Sequence, residues 1–433
     1  MRLRKILRTL TGLLALCLLV YIGYRAVRLP SLERSLSWRI DAAQSFVRSV
    51  FSPVGALPTA AVSANSPGDD LSEFVDTPTR TLPPPTASPV PGDTATPGPT
   101  ATLQPSPTIT ASPTPLPTKI VLTPPKWEAE DWNNCGPATL AMYLRLYGFQ
   151  GDQFTISNEI KPLRADRNVN VDELAGYVAR HQKDLRIFFR VGGTASRLEQ
   201  FMAAGIPVMI EEGFYIPQSY IMNDDHWAGH YLLLTGYDTA NQFFIAQDSE
   251  LGRDRINAFK DFDKNWQAFN RVYILIYTAD KDQVVQDIMG DDMDPDTSRQ
   301  HALDTALAET KATPKNAYAW FNLGSNLVYF ERYDEAAKVY DMARSLGLPE
   351  RMLRYQFGPF LAYFHSLRND DLLALADYAL NVTPNSEEAL LWKGWGLFRQ
   401  GKRVEAADLF RKALENRPGY PDALYALKYM QNN

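Results

Sequence analysis

The chain has 433 residues, 45% hydrophobic and 12% aromatic, with a formal net charge of −6 and a pI near 5.5. Such a length predicts two or three units rather than one. The mild acidic balance, with no long basic run beyond the extreme N-terminus, excludes a nucleic-acid partner held by charge. The only cysteines are Cys17, inside an apolar run, and Cys135, so no intrachain disulfide is expected.

In chain order, Arg2, Arg4, Lys5 and Arg8 precede an apolar run from Leu10 to Tyr24, and Arg25 and Arg28 follow it. Extended from Ile6 to Val27, with the arginines snorkelling, the run reaches the ~20 residues of a spanning helix. No small-x-small cleavage site follows it. Basic residues ahead of the span favour an inside N-terminus. Residues 1–29 are therefore expected to be a cytoplasmic basic end and an uncleaved transmembrane signal anchor. The later domains would then be extracytoplasmic, on a single-pass protein of the cell membrane. Residues 30–51 form a juxtamembrane segment, either a short amphipathic helix (Trp38, Ile40, Phe46, Val47, Val50) or a partly ordered stalk. Residues 52–126 are rich in Pro, Thr and Ser and predict a disordered linker that cannot bury a core.

Residues 127–280 mix helical and strand-like runs. A helix is expected from Cys135 to Gly148, another over Asp172–His181 and a third over Arg197–Ala204. The strings RIFFRV, PVMIEEGFY, HYLLLTGYD, QFFIAQD and RVYILIYTA read as strands, being β-branched or aromatic and bounded by Gly, Asp and Asn. Helix first and strands after predicts an α+β domain. Residues 281–296 read as a linker. Their acidic string GDDMDPD lacks the glycine and terminal glutamate of a calcium loop. Residues 297–433 read as all helix with an internal repeat.

The chemistry concentrates in WNNCGPATLAMYLRLYG. Asn133 and Asn134 are good helix N-cap types, and Pro137 is tolerated only in a first turn. Cys135 thus begins a helix, where the positive end of the dipole favours a nucleophilic thiolate. Gly136 leaves space beside the sulfur, and the Cys135 N–H can face a developing oxyanion. A thiolate nucleophile needs a base, and the base an orienting partner. His301 and His365 lie in the repeat region and His181 ends a polar helix. His230 begins a strongly apolar strand, and the next strand ends in Asp248, so adjacent strands can bring the two together. His226 and His230, with Asp224 and Asp225 beside them, run into a strand and carry no HExxH pattern. No metal and no cofactor is expected.

The strings CGPATLAMYLRLYG, GIPVMI, GHYLLLTGYD and FFIAQDS resemble the papain-like, C39-like peptidases that process bacteriocins at double-glycine leaders. Their stand-alone branch is the nearer in style, with Trp266 ahead of the last strand. The resemblance spans roughly residues 127–280. It implies Cys135 as nucleophile, His230 as base and Asp248 as the orienting residue of a cysteine peptidase acting on a peptide or protein. The sequence departs from that pattern at one point. The family commonly has a glutamine before the cysteine as an oxyanion donor, and here Glu128 and Glu130 stand in WEAEDWNN. A carboxylate repels an oxyanion unless protonated, which leaves Asn133, Asn134 and the backbone of Cys135 as donor candidates. A catalytically weak or inactive peptide-binding scaffold is the alternative.

In the C-terminal region Gly324, Ala336, Tyr340 and Ala343 recur as Gly394, Ala406, Phe410 and Ala413. A degenerate copy with Phe360, Leu372, Ala376 and Ala379 lies between them. This pattern resembles tetratricopeptide repeats (TPR) over about 316–418, capped by helices near His301–Thr310 and Pro421–Met430. The resemblance implies a solenoid that recruits a protein partner.

Overall fold

The computed structural model describes residues 57–58, 115–163, 168–215 and 226–432. The expected membrane segment, the juxtamembrane segment and most of the 52–126 linker lie outside them. Among the described residues no helix is long and apolar enough to cross a membrane.

A seven-stranded antiparallel sheet organises the first domain. Its strands are β1 (Lys119–Val121), β2 (Leu185–Arg190), β3 (Val208–Tyr215), β4 (Trp227–Asp238), β5 (Phe243–Asp248), β6 (Gly252–Ala258) and β7 (Tyr273–Thr278). They run in the order β2-β7-β3-β4-β5-β6, with β1 paired to β4. Strand side chains alternate between faces, and here both faces are covered. On one side Met209, Tyr231, Leu233, Ile274 and Ile276 pack against α1 (Cys135–Arg145), α2 (Gln153–Ile160) and α3 (Val171–His181). On the other, Val208, Ile210, Leu232, Leu234 and Leu275 meet α4 (Ala195–Ala203), α5 (Phe259–Gln267) and α6 (Asp282–Met289). Burial of both faces is why these strands read as unbroken apolar runs rather than as alternating ones. The result is a mixed α/β domain followed by a helical region.

Two expected boundaries are corrected. The stretch read as linker up to residue 126 includes β1, whose Lys119, Ile120 and Val121 pair with Asp238, Tyr237 and Gly236. Gly236 permits the approach, since a side chain there would meet the Ile120 carbonyl at 2.5 Å. The stretch read as a linker at 281–296 holds α6 and a 3₁₀ turn (Gly290–Met293). Val285 and Met289 of α6 are four residues apart, so both face the core, where they are buried.

The helical region runs through α7 (Pro295–Ala312), α8 (Ala317–Tyr329), α9 (Tyr333–Ser345), α10 (Gly358–His365), α11 (Asn369–Val382), α12 (Glu387–Arg399), α13 (Arg403–Asn416) and α14 (Pro421–Asn432). A 3₁₀ turn (Glu350–Arg354) precedes α10. The repeated small residues do what their spacing implied. A Cβ on Gly324 would meet the Tyr340 ring at 2.7 Å, and one on Gly394 the Phe410 ring at 2.5 Å. Each glycine is thus the slot into which the aromatic of the paired helix drops.

The two domains share one core. Trp227 and Phe269 stack with ring centroids 5.8 Å apart, and Tyr355 meets both edge-on at 5.7 and 6.1 Å. Polar groups close the rim. Asn322 Nδ2 donates to the Gln267 carbonyl (2.8 Å), Asn270 Nδ2 to Asn326 Oδ1 (2.8 Å) and Gln356 Nε2 to the Ala268 carbonyl (2.8 Å).

Candidate active site

Cys135 is the first residue of α1 and is half-buried. The turn before it is irregular: Asn133 has φ 53°, in the region that asparagine tolerates better than most residues. Asn134 is the N-cap, but its side chain makes no capping bond. It donates instead to Gln153 Oε1 (2.8 Å).

Gln153, at the start of α2 and buried, is the fastening point of the 126–134 loop. Its Oε1 also accepts from the Asp131 N–H (2.6 Å), and its Nε2 donates to Glu128 Oε1 (2.9 Å) and to the Ala129 carbonyl (2.8 Å). Glu128 is further held by Arg145 at 2.5 Å. The other end of the loop is tied to β5: Trp127 Nε1 donates to the Asp248 carbonyl (2.8 Å) and the Glu130 N–H to the Ser249 carbonyl (3.0 Å). α1 is in turn seated on β4 by Thr139, whose hydroxyl donates to the Tyr231 carbonyl (3.2 Å). Gly136 plays a different part from the expected one. A Cβ there would touch the Tyr231 ring at 3.3 Å and Leu174 at 3.5 Å, so its missing side chain serves close packing of α1 on the sheet.

His230 lies on β4, buried at 4% exposure. Leu232 pairs with Asp248 across β4 and β5, and His230, two residues earlier, shares their face. Its Nε2 lies 2.9 Å from Asp248 Oδ1. Asp248 Oδ1 also accepts the N–H groups of Glu250 and Leu251, both at 2.9 Å. The other imidazole nitrogen, Nδ1, faces Glu130 Oε2 at 3.8 Å, and ligand atoms of Glu130, Cys135 and His230 all fall within 4.8 Å of one another. His230 therefore neighbours both Cys135 and Asp248. Glu130, Cys135 and His230, a carboxyl, a thiol and an imidazole, are the set among the described residues whose ligand atoms lie close enough to hold a soft divalent ion.

The electrostatics of the cluster are unusual. Burial opposes charge on His230, yet hydrogen bonds with Asp248 and Cys135, and the charges of Asp248 and Glu130, hold the imidazole well above its ordinary range. Burial also acts against the Asp248 carboxylate, but the His230 contact and the two backbone N–H groups keep it below its usual value. Glu130 goes the other way. Burial pushes its carboxyl up to about 7, against the pull of His230 and of the Ser249 hydroxyl, which donates to Oε2 at 2.7 Å. Glu212, opposite His230 on β3, is likewise pushed up to about 7 by burial.

Of the expected oxyanion donors, Asn134 is turned to Gln153. The side-chain nitrogen of Asn133 is buried and without a partner among the described residues, while its backbone carbonyl accepts from Lys161 Nζ (2.6 Å). His226 is exposed, and Asp224 and Asp225 lie outside the described residues. Sequence reasoning discounted Glu130 and passed over Gln153, Ser249 and Glu212. Glu130 is one of three acids, with Glu128 and Asp131, in the approach to Cys135, and nothing in that string singles it out. Gln153, Ser249 and Glu212 are recognisable only once the loop is folded.

A helix-start cysteine facing a strand-borne histidine, backed by a carboxylate, is the side-chain arrangement of a thiol hydrolase. The relationships of the chain agree. Residues 121–274 match the model of the Peptidase_C39 like family, and residues 300–347 and 368–421 match a tetratricopeptide repeat model. The chain thus carries a C39-like peptidase domain followed by tetratricopeptide repeats. Solved structures similar to it include a protein from Bacillus anthracis described as a C39-like peptidase, 17% identical, covering 37% of this chain and 98% of that one, with TM-score 0.29. Xylellain, a cysteine protease from Xylella fastidiosa, is 16% identical, covering 38% of this chain and 87% of the other, with TM-score 0.29. YrrB, a TPR protein with an unusual peptide-binding site, is 21% identical, covering 31% and 69%, with TM-score 0.28. No curated protein matches the chain.

Proposed function

We propose that the C39-like domain is a cysteine peptidase, with Cys135 as nucleophile, His230 as acid and base, and Asp248 as the residue that orients the imidazole. The single observation that carries the reading is His230 standing between Cys135 and Asp248, bonded through Nε2 to the Asp248 carboxylate and with a ring nitrogen within 4.8 Å of the Cys135 sulfur. The thiolate attacks the amide carbon, and the C–N bond breaks as the imidazolium gives its proton to the departing amine. The resulting thioester is attacked by water, whose proton passes to His230, and carboxylate and thiol are released. A basic-flanked apolar run near the N-terminus supports a membrane-anchored, extracytoplasmic setting, and the repeats support recruitment of a protein partner.

For the oxyanion, the Cys135 N–H supplies one donor and Glu130 a second. A carboxyl group titrating near 7 is largely a neutral acid below that pH, and a neutral acid has an O–H to give. Glu130 is then a donor in the protonated form and a repulsive anion in the ionised form. The rival reading, a peptide-binding scaffold without turnover, is favoured by the same carboxyl if it stays ionised. Labelling with a thiol-directed peptide electrophile separates the two. Wild type is expected to be labelled and Cys135→Ala not; equal labelling of both would end the peptidase reading. Peptide affinity that survives in Cys135→Ser, with no turnover by the wild type, would favour the scaffold.

A further inference from the structure

Away from the cysteine, an apolar cleft of the repeat region is filled by the chain itself. Leu57 packs among Phe321, Tyr340, Leu348, Met352, Pro359 and Leu375, leaving about 10 Å³ of free space around it. The carbonyl of Pro58 accepts a hydrogen bond from Arg344 Nη2. Arg344 is a built feature of the cleft. It is 8% exposed, and its Nη1 donates to the Tyr363 hydroxyl (2.8 Å) with Asp341 and Asp371 at 4.0 and 3.9 Å.

The chemistry of these contacts selects a kind of ligand. Proline has no N–H, so its backbone enters an apolar cleft without a stranded donor. A residue before proline is held extended, so a leucine–proline pair loses little freedom on docking. The leucine fills the cleft, and the carbonyl after it meets a guanidinium that is already fixed in place. Arg344 Nε is buried and unpartnered among the described residues, so a ligand that brings one more acceptor binds better than Leu57–Pro58 does.

We propose that this cleft, between α8, α9, α10, α11 and the 350–354 turn, is a receptor site for an extended leucine–proline peptide segment, held in this chain by its own Leu57–Pro58. Lys119 of β1 lies 61 positions beyond Pro58, so the segment is a tethered competitor with a local concentration on the order of a millimolar. A partner segment must displace it. The inference stands on the repeat region alone and does not need the peptidase to be active.

The test is a titration of a labelled peptide copying residues 52–63, SPVGALPTAAVS, against the full chain in mild detergent, read by anisotropy. The Leu57→Asp chain, its tethered competitor removed, is expected to bind at least ~10-fold tighter than wild type. The same peptide with Asp in place of leucine is expected to bind neither chain. Equal affinity of the native peptide for both chains would overturn occupation in cis. No binding to the Leu57→Asp chain, or undiminished binding of the Asp-bearing peptide, would overturn the site itself.

Discussion

A single carboxyl separates this cysteine site from one whose donors are permanent. Glu130 titrates near 7 because it is buried, and its carboxyl sits 3.8 Å from His230 and beside the thiol. If it donates to the oxyanion, kcat/KM falls as pH rises through about 7. Glu130→Gln keeps the shape and makes the donor permanent, so its alkaline limb is expected well above 7; a pH–rate profile compares the two. Glu130→Leu, with no donor, is expected to cost ~10²–10³ in kcat at pH 6. Stability follows with a definite sign. The folded value lies above the ordinary 4.5, so the native state binds the extra proton between 4.5 and about 7, and stability falls as pH rises across that window. Glu130→Gln is expected to flatten that slope in denaturant melts at pH 5 and 8, and an unchanged slope would mean that Glu130 is not the group responsible.

The elements explain how these side chains hold station. The 126–134 loop has no regular structure, yet Gln153 satisfies four of its polar groups. Gln153→Ala removes all four bonds and strands the buried Asn134 amide, at roughly 1–3 kcal/mol for such a group. It is expected to lower Tm and to lower kcat more than it changes labelling of the cysteine. In the solenoid, Gly324→Val forces a side chain into the Tyr340 ring, 2.7 Å from the position of its first carbon. Overpacking of this kind costs about 1–3 kcal/mol, read by thermal denaturation. Legibility in the sequence divides along the same physical line. The Cys135 helix, β4 and β5 were readable because burial on both faces writes long apolar runs. The glycine–aromatic slots were readable because the repeat shows each twice. β6, with the polar string GRDRINA, and the three-residue β1 were not, because an exposed edge strand needs no apolar pattern. α2 begins at Gln153, whose importance arises from four partners in a loop rather than from its neighbours in sequence. α6 was lost because its buried face is narrow, only Val285 and Met289.

At the scale of the whole molecule the peptidase-like domain and the solenoid are not beads on a string. The Trp227–Phe269–Tyr355 cluster belongs to the same core as Phe321, Tyr340 and Phe360. One cooperative unfolding transition is therefore expected for the described domains in calorimetry. Trp227→Ala, which opens a large cavity at the junction, is expected to cost ~3–5 kcal/mol and to split that transition in two. Trp227 also opens β4, three residues ahead of His230, so the strand that carries the imidazole is anchored at its start in the neighbouring domain. For anyone producing the protein in pieces, this has a practical result. A cut at the boundary suggested by sequence, near residue 296, would leave an N-terminal half presenting a bare tryptophan and phenylalanine to water and a C-terminal half presenting Tyr355. Each half would seek another surface to cover that patch, so clumping of a recombinant fragment would report the lost junction rather than a fault in the catalytic fold.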